Sequence, residues 1–348
     1  MTRFHSHQAG VSAALFAAVL FGAGTPLAKF LLAGASPWML AGLLYLGSGI
    51  GLTLYRLVSG AQSARLARSE ALWFAGAVVS GGIVGPVLLM LGLSSMPASG
   101  ASLLLNAEGV LTALLAWFAF KENFDRRIAF GMLAIVLGAA ILSWPGQVEF
   151  ASTWPSLAVL GACLSWGIDN NLTRKVSLSD ATWIASVKGM VAGSVNLTLA
   201  LVLGAVWPQW PYSLGAMVVG FLCYGVSLAL FVIGLRHLGT ARTGAYFSIA
   251  PFIGAILAVL LGEPVTAPLL LAGSLMALGI WLHLTEHHEH EHTHEEMEHE
   301  HEHVHDEHHK HDHEVLVLPG TKHSHRHIHE ALTHSHVHYP DAHHRHEH

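Results

Sequence analysis

Apolar residues in this chain do not alternate with polar ones. They gather in long uninterrupted stretches separated by brief polar breaks. A helix needs about 20 apolar residues to cross the hydrocarbon core of a bilayer. Stretches of that kind fall near 10–32, 37–59, 71–93, 97–119 and 128–145, and a second set near 155–174, 181–204, 214–236, 242–261 and 265–284. Strands of a membrane barrel would alternate apolar and polar over about ten residues, whereas the run from Leu197 to Val206 is apolar at odd and even positions alike. The pattern predicts an all-α, polytopic membrane protein of ten transmembrane helices. The segment Met1–Gly10 is too short, and lacks the cleavage site, to be a removable signal peptide, so the run from Val11 is expected to be a retained first span.

Basic residues test that count independently, because Lys and Arg favour the cytoplasmic loops. Arg3 precedes the first span. Arg56, Arg65 and Arg68 lie between spans two and three, and Lys121, Arg126 and Arg127 between four and five. Arg174 and Lys175 lie between six and seven, and Arg236 and Arg242 between eight and nine. The opposite loops, around 33–37, 94–98, 144–155, 204–213 and 262–267, hold none. Both termini are therefore expected in the cytoplasm of a cell with this protein in its inner (plasma) membrane. Trp144, Trp154, Trp207, Trp210 and Tyr212 fit an aromatic belt at the outer interface.

The two sets of five overlay. Phe21-Gly22 aligns with Trp166-Gly167, Leu91-Gly92-Leu93 with Ile233-Gly234-Leu235, and Ala101–Trp117 runs without a gap beside Thr243–Val259. Lys121-Glu122 lands near Gly262-Glu263. An odd number of helices per half forces opposite orientations. The expected domains are thus 10–145 and 155–284, two inverted five-helix repeats, an architecture of many secondary transporters with the substrate near the midplane.

On these features the chain resembles the drug/metabolite transporter superfamily, and in particular its EamA-type ten-helix members. The resemblance spans residues 10 to about 284. It rests on the two halves, the Gly-interrupted first helices, Ala250-Pro251, and the Gly262-Glu263-Pro264 element. The first half departs from the pattern, with Glu108-Gly109 where span nine has Ala250-Pro251, and Lys121-Glu122 in place of Gly-Glu. What the resemblance implies is a permease without an ATPase module, and the chain has no Gly-x-x-x-x-Gly-Lys-Ser/Thr run.

Ionisable groups within a span cost a few kcal/mol on insertion scales and mark functional sites by default. Glu108 lies mid-span with Asn106 nearby, Asp169-Asn170-Asn171 in the inner half of span six, Lys188 mid-way along span seven, and Lys29 toward the outer end of span one. All are candidates for lining a transport cavity. Glu108 suits proton coupling or a cationic substrate, and a permanent pairing with Lys188, Lys29 or backbone donors is the structural alternative; Lys188 could neutralise Asp169 or Glu108, or bind an anionic group. Asp169-Asn170-Asn171 suits substrate binding or a helix end, and Lys29 can simply snorkel outward. Gly24 and Pro26, Gly85 and Pro86, and Pro251 are candidate breaks or gates, since Pro removes a backbone hydrogen bond. Small residues such as Gly47-x-x-x-Gly51 and Gly81-x-x-x-Gly85 are expected to serve close packing.

Composition changes the picture only at the C-terminus. Charged residues make up 11% of the chain, against about a quarter in soluble domains, and mean hydropathy is +0.48. Yet from Thr285 onward lie 24 of the 28 His, 15 of the 23 acidic residues and four of the 17 basic ones. This third segment, 285–348, is expected to be a disordered cytoplasmic tail, since it cannot bury a core. His287, His288, His290, His292, His294, His299, His301, His303 and His305 are interleaved with carboxylates. His323, His325, His327, His329, His334, His336, His338, His343 and His344 form a second block. Such an array suits divalent Ni, Co, Zn or Cu, with a pH-responsive tail as the non-metal alternative. Cys163 and Cys223 sit in apolar runs and read as packing residues.

The expectation is a secondary transporter of small metabolites that acts as an exporter, and not an enzyme. The alternative is a divalent-metal efflux or tolerance permease fed by the tail, and a non-transporting metal sensor is a rival of another class. No cofactor is required. Expected partners are membrane lipid, a small-molecule or ion substrate and, as a candidate assembly, a homodimer; nucleic acid is not among them.

Overall fold

Inside a bilayer each backbone N–H and C=O has to be satisfied within its own segment, and this dictates helices for long apolar stretches. The structure, a computed structural model, describes residues 2–61, 70–120, 126–144, 150–174, 176, 180–238, 243, 246–284, 289–294, 297–303, 323–329 and 332–337. It forms two units, Met1–Glu286 and His287–His348. The first runs through α1 (Thr2–Leu31), α2 (Pro37–Ser59), α3 (Ala71–Ala77), a π-helical segment π1 (Val78–Val84), α4 (Gly85–Ser95), α5 (Ala98–Leu104), α6 (Ala107–Phe120), α7 (Arg126–Ser143) and α8 (Phe150–Arg174). It continues through α9 (Ala181–Val202), α10 (Trp210–Val219), π2 (Gly220–Val226), α11 (Ser227–Leu238), α12 (Ala250–Leu260) and α13 (Ala267–Leu284).

Among the described residues, six helical segments are long and apolar enough to cross a membrane: Gly10–Leu31, Pro37–Ser59, Ala71–Ser95, Ala98–Leu115, Thr182–Val202 and Trp210–Gly234. Ala129–Ser143, Ala250–Leu260 and Ala267–Leu282 are shorter apolar helices. Several stretches read from sequence as single helices are interrupted. The stretch 71–93 contains π1, 214–236 contains π2, and 97–119 breaks at Leu105-Asn106 between α5 and α6. A π turn adds one residue to a helix without breaking its apolar run, so hydropathy alone does not reveal it.

Small residues set the helix contacts. α2 and α9 meet backbone to backbone: a Cβ on Gly189 would stand 2.7 Å from Gly49 N, and one on Gly42 would stand 2.8 Å from Leu197 N. On another face of α2, Gly47 meets the Met217 backbone and Gly51 the Phe221 ring. In lipid there is no hydrophobic drive between helices, and close approach through small residues supplies van der Waals contact instead. α7 packs on α13, α1 packs on α11 and α12, and α8 packs on α4 and α6. The interior is filled by Met39, Leu40, Leu43, Leu44, Leu89, Met90, Leu93, Leu104 and Met276. Large apolar side chains such as Phe30, Val58 and Leu72 point outward, 71%, 90% and 81% exposed, an apolar exterior of the kind a bilayer covers.

In the second unit β1 (Glu289–His294) pairs antiparallel with β4 (Leu332–Val337), and β2 (Met297–His303) with β3 (His323–His329). The sequence reading expected no regular structure there. Alternation of His with Glu, Thr or Ser has the period of a strand, which accounts for the pairing without an apolar core.

Candidate transport site

The site is built around π1. Pro86 has no N–H, so a carbonyl of the preceding turn loses its helical donor, and the π turn disturbs its neighbours. Three other helices supply replacements. Trp166 Nε1 on α8 and Tyr45 Oη on α2 both donate to the Gly81 carbonyl, each at 2.9 Å. Asn196 Nδ2 on α9, fully buried, donates to Gly82 O at 3.3 Å and Ile83 O at 3.4 Å. Ser80 Oγ returns a bond to Ser165 O at 2.6 Å. Broken backbone at membrane depth is tolerable only when protein or water satisfies it, and here side chains from α2, α8 and α9 do so. Gly81 and Gly85 also make room: a Cβ on Gly85 would lie 2.8 Å from Trp166 Nε1, and one on Gly81 would overlap the Asp169 carboxylate.

Beside this girdle lie the charges. Lys188 Nζ on α9 forms an ion pair with Asp169 Oδ2 on α8, and the other Asp169 oxygen accepts from Thr173 Oγ1 at 3.0 Å. That pair neutralises itself. Glu108 sits in the first turn of α6, just past the Leu105-Asn106 break, where the helix dipole favours a carboxylate. Its Oε1 accepts from Asn170 Nδ2 at 2.9 Å. Asn170 Nδ2 also reaches Thr112 Oγ1 at 3.3 Å, and Asn171 Nδ2 donates to Thr112 O at 3.1 Å and Gly167 O at 2.8 Å. Among the described residues Glu108 has no cation at ion-pair distance. Asn170 and Gly109 are exposed, and a Cβ on Gly109 would meet nothing within 4 Å. Glu108 is half-buried, and its hydrogen-bond partner Asn170 is exposed.

Of the residues singled out from sequence, the fold thus gathers Glu108, Asp169, Asn170, Asn171 and Lys188. It does not bring Asn106 and Lys29 with them. Asn106 is buried at the helix break, donating to Leu103 O at 3.0 Å and toward Met276 Sδ at 3.8 Å. Lys29 donates to Leu93 O at 2.7 Å at the far end of α4. Pro26 lies within α1, Pro86 in the first turn of α4 and Pro251 in the first turn of α12. Gly24 packs on Cys223 and Tyr224, with a Cβ there 3.3 Å from Cys223 Cβ. A small void is lined by Phe21, Gly22, Thr25, Ser102, Leu105, Ala250 and Pro251. Phe21 stacks edgewise on Tyr224, and Tyr45 lies 6.0 Å from the same ring, so an aromatic wall stands near the charged one. Cys163 and Cys223 are buried free thiols.

Sequence reasoning missed Tyr45, Trp166, Asn196 and Thr112. The signal for the first three was Pro86, whose missing N–H leaves a carbonyl of the preceding turn in need of a donor from elsewhere. In the tail, His290, His292, His294, His299, His301, His303, His323, His325, His327, His329, His334 and His336 fall on the strands. His287, His288, His305, His338, His343 and His344 lie outside the described residues.

A model of the EamA-like transporter family matches residues 8–144 and again 153–285. The chain belongs to that family: it is a multi-pass membrane transporter and not an enzyme. It is 28% identical over 297 residues to an uncharacterized transporter of Methanothermobacter thermautotrophicus, covering 78% of this chain and 85% of that one. It is 22% identical to the uncharacterized transporter YyaM of Bacillus subtilis, covering 75% and 89%. A probable amino-acid metabolite efflux pump of Salmonella typhimurium is 27% identical over 209 residues, 54% of this chain and 68% of the relative. A solved crystal structure shares the fold with a TM-score of 0.60 at 18% identity, covering 78% of this chain and 95% of that one.

Proposed function

We propose that this chain is a secondary transporter that exports small metabolites bearing a positively charged group, by alternating access between two oppositely oriented five-helix halves. The observation that carries the reading is Glu108, a half-buried carboxylate held by the exposed Asn170 while the neighbouring Asp169 and Lys188 pair with each other. An ammonium group or a proton is what such a carboxylate can exchange. The family and the named efflux relative support export.

Two observations support the opposed halves. The π segments, Val78–Val84 and Gly220–Val226, are separated by the same 142 positions that align Leu91-Gly92-Leu93 with Ile233-Gly234-Leu235. The helix contacts also pair off: α1 on α11 and α12 answers α8 on α4 and α6, while α2 on α9 and α7 on α13 are each their own counterpart. Ten crossings would set both termini in the cytoplasm, as the basic loops require.

A second reading, divalent-metal efflux, is favoured by the tail alone, with its 24 His among 15 acidic residues. One experiment separates the two: flux in reconstituted vesicles, screening amines and amino acids beside nickel, cobalt and zinc, with the intact chain, with 287–348 deleted, and with Glu108→Gln. Amine flux that survives the deletion and falls in Glu108→Gln supports the first reading. Metal flux lost with the tail supports the second.

A further inference from the structure

The Gly-Glu-Pro element shows what it does at the end of the molecule remote from Glu108. Gly262, at φ 107, is the left-handed residue that ends α12. Its N–H bonds to Val259 O, and the Glu263 N–H bonds to Ala258 O at 3.2 Å. This is a Schellman closure, in which glycine is favoured for its conformation. The turn carries the Glu263 side chain across to another helix. Its Oε1 accepts from Ala98 N at 2.6 Å and its Oε2 from Ser99 N at 2.8 Å. These are the first N–H groups of α5, which have no partner within the helix. The residue before them, Pro97, offers no side-chain cap. Lys29 of α1 completes the arrangement, donating to Leu93 O at 2.7 Å and Ser94 O at 3.4 Å on the end of α4. Three segments that are distant in sequence (the end of α1, the α4–α5 turn and the α12–α13 turn) are thus fastened by charged groups bonding to backbone.

The void lined by Thr25, Ser102 and Pro251 involves the same helices: Thr25 is one turn from Lys29 on α1, Ser102 is on α5, and Pro251 is on α12. We infer that Glu263 and Lys29 form the gate at this end of the transport path, closed in this structure, and that opening requires Glu263 to leave the α5 amides. Glu263 and Lys29 are gating residues that need not touch substrate. The inference rests on the alternating-access reading, but its test needs no substrate and no transport.

The test uses the full chain in vesicles, with Cys163 and Cys223 replaced by Ala and a single reporter, Thr25→Cys. The rate of reaction with a membrane-impermeant thiol reagent is measured from the face carrying the α12–α13 turn, which is identified separately by labelling Val265→Cys. Glu263→Gln should speed labelling of the reporter by about tenfold, the change expected when a charge-assisted hydrogen bond holding one state is lost. Ala98→Pro is the second variant. Proline is tolerated at a first helical position, and Pro97, at φ −59 and ψ 143, already has the extended backbone a following proline requires. That substitution deletes one donor and leaves the carboxylate untouched, so it should speed labelling in the same direction by less. Unchanged labelling in both variants would overturn the gate. Adding Glu108→Gln should leave the effect of Glu263→Gln intact, so that failure of the substrate site and failure of the gate are told apart.

Discussion

Lys188 on α9 closes an ion pair with Asp169 on α8, 19 positions earlier in the chain, and so takes up one of the two cations that the sequence offers to Glu108. Breaking a buried pair from one side leaves an uncompensated charge and costs about 3–5 kcal/mol, whereas replacing both partners is often neutral. Lys188→Met should therefore lower the thermal midpoint of the detergent-solubilised protein severely. Lys188→Met combined with Asp169→Leu should recover much of that loss. Additive losses in the double variant would mean the two groups do not depend on each other.

The Gly81 carbonyl accepts from both Trp166 and Tyr45. A net hydrogen bond contributes about 1 kcal/mol, while an orphaned buried acceptor costs about 1–3. Trp166→Phe and Tyr45→Phe should each be tolerated, because the other donor remains, and the double variant should lose more than the two singles together. A double-mutant cycle on unfolding midpoints checks this coupling.

Asp180 lies outside the membrane-spanning segments, as the N-cap of α9, where Oδ1 accepts from Thr182 N at 2.8 Å and pairs with Arg56 Nη1 at 2.9 Å. Partial burial pushes its carboxyl up, but bonds from Thr182, Arg56 and the Trp183 N–H, with the Arg56 charge, outweigh this and hold it at about 2. A carboxyl depressed below its unfolded value of about 3.9 contributes stability above that value and loses it as pH falls toward 2. Stability should thus drop across that acid window, by a modest amount because the group is a third exposed. Asp180→Asn should be less stable near neutral pH and lose this part of the acid dependence; an unaltered acid limb would place the dependence elsewhere.

Much of the fold was legible because hydropathy reports on the bilayer directly. The helices fall on the apolar stretches, and the repeat read from Leu91-Gly92-Leu93 and Ile233-Gly234-Leu235 gives the spacing of the two π segments. The interruptions were not legible, because Val78–Val84 is as apolar as its neighbours and only Pro86 hinted at an unsatisfied carbonyl. The site was half legible. Intramembrane charge picked out Glu108, Asp169 and Lys188, but pairing depends on which helices touch. Lys29, read as a possible partner for Glu108, instead holds the end of α4. Glu263 was read as a family motif, and its bond to the α5 amides spans 165 positions.

Opposed halves make a prediction about sides. Cysteines at Gln209 and at Gly34 should both react with an impermeant reagent from outside intact cells. A cysteine at Asp180 should react only after permeabilisation. Labelling of Gln209 from the cytoplasmic side alone would break the two-fold scheme.

In the proposed carrier Glu108 is the exchanging group. Counterflow tests it directly, because accumulation of labelled substrate against preloaded unlabelled substrate requires a site that alternates between faces without net drive. With an amine-bearing substrate from the vesicle screen, the intact protein should show transient accumulation. Glu108→Gln should reduce its initial rate by roughly 10-fold or more, as expected for loss of a charge-assisted hydrogen bond. Equal counterflow in the two proteins would contradict the account.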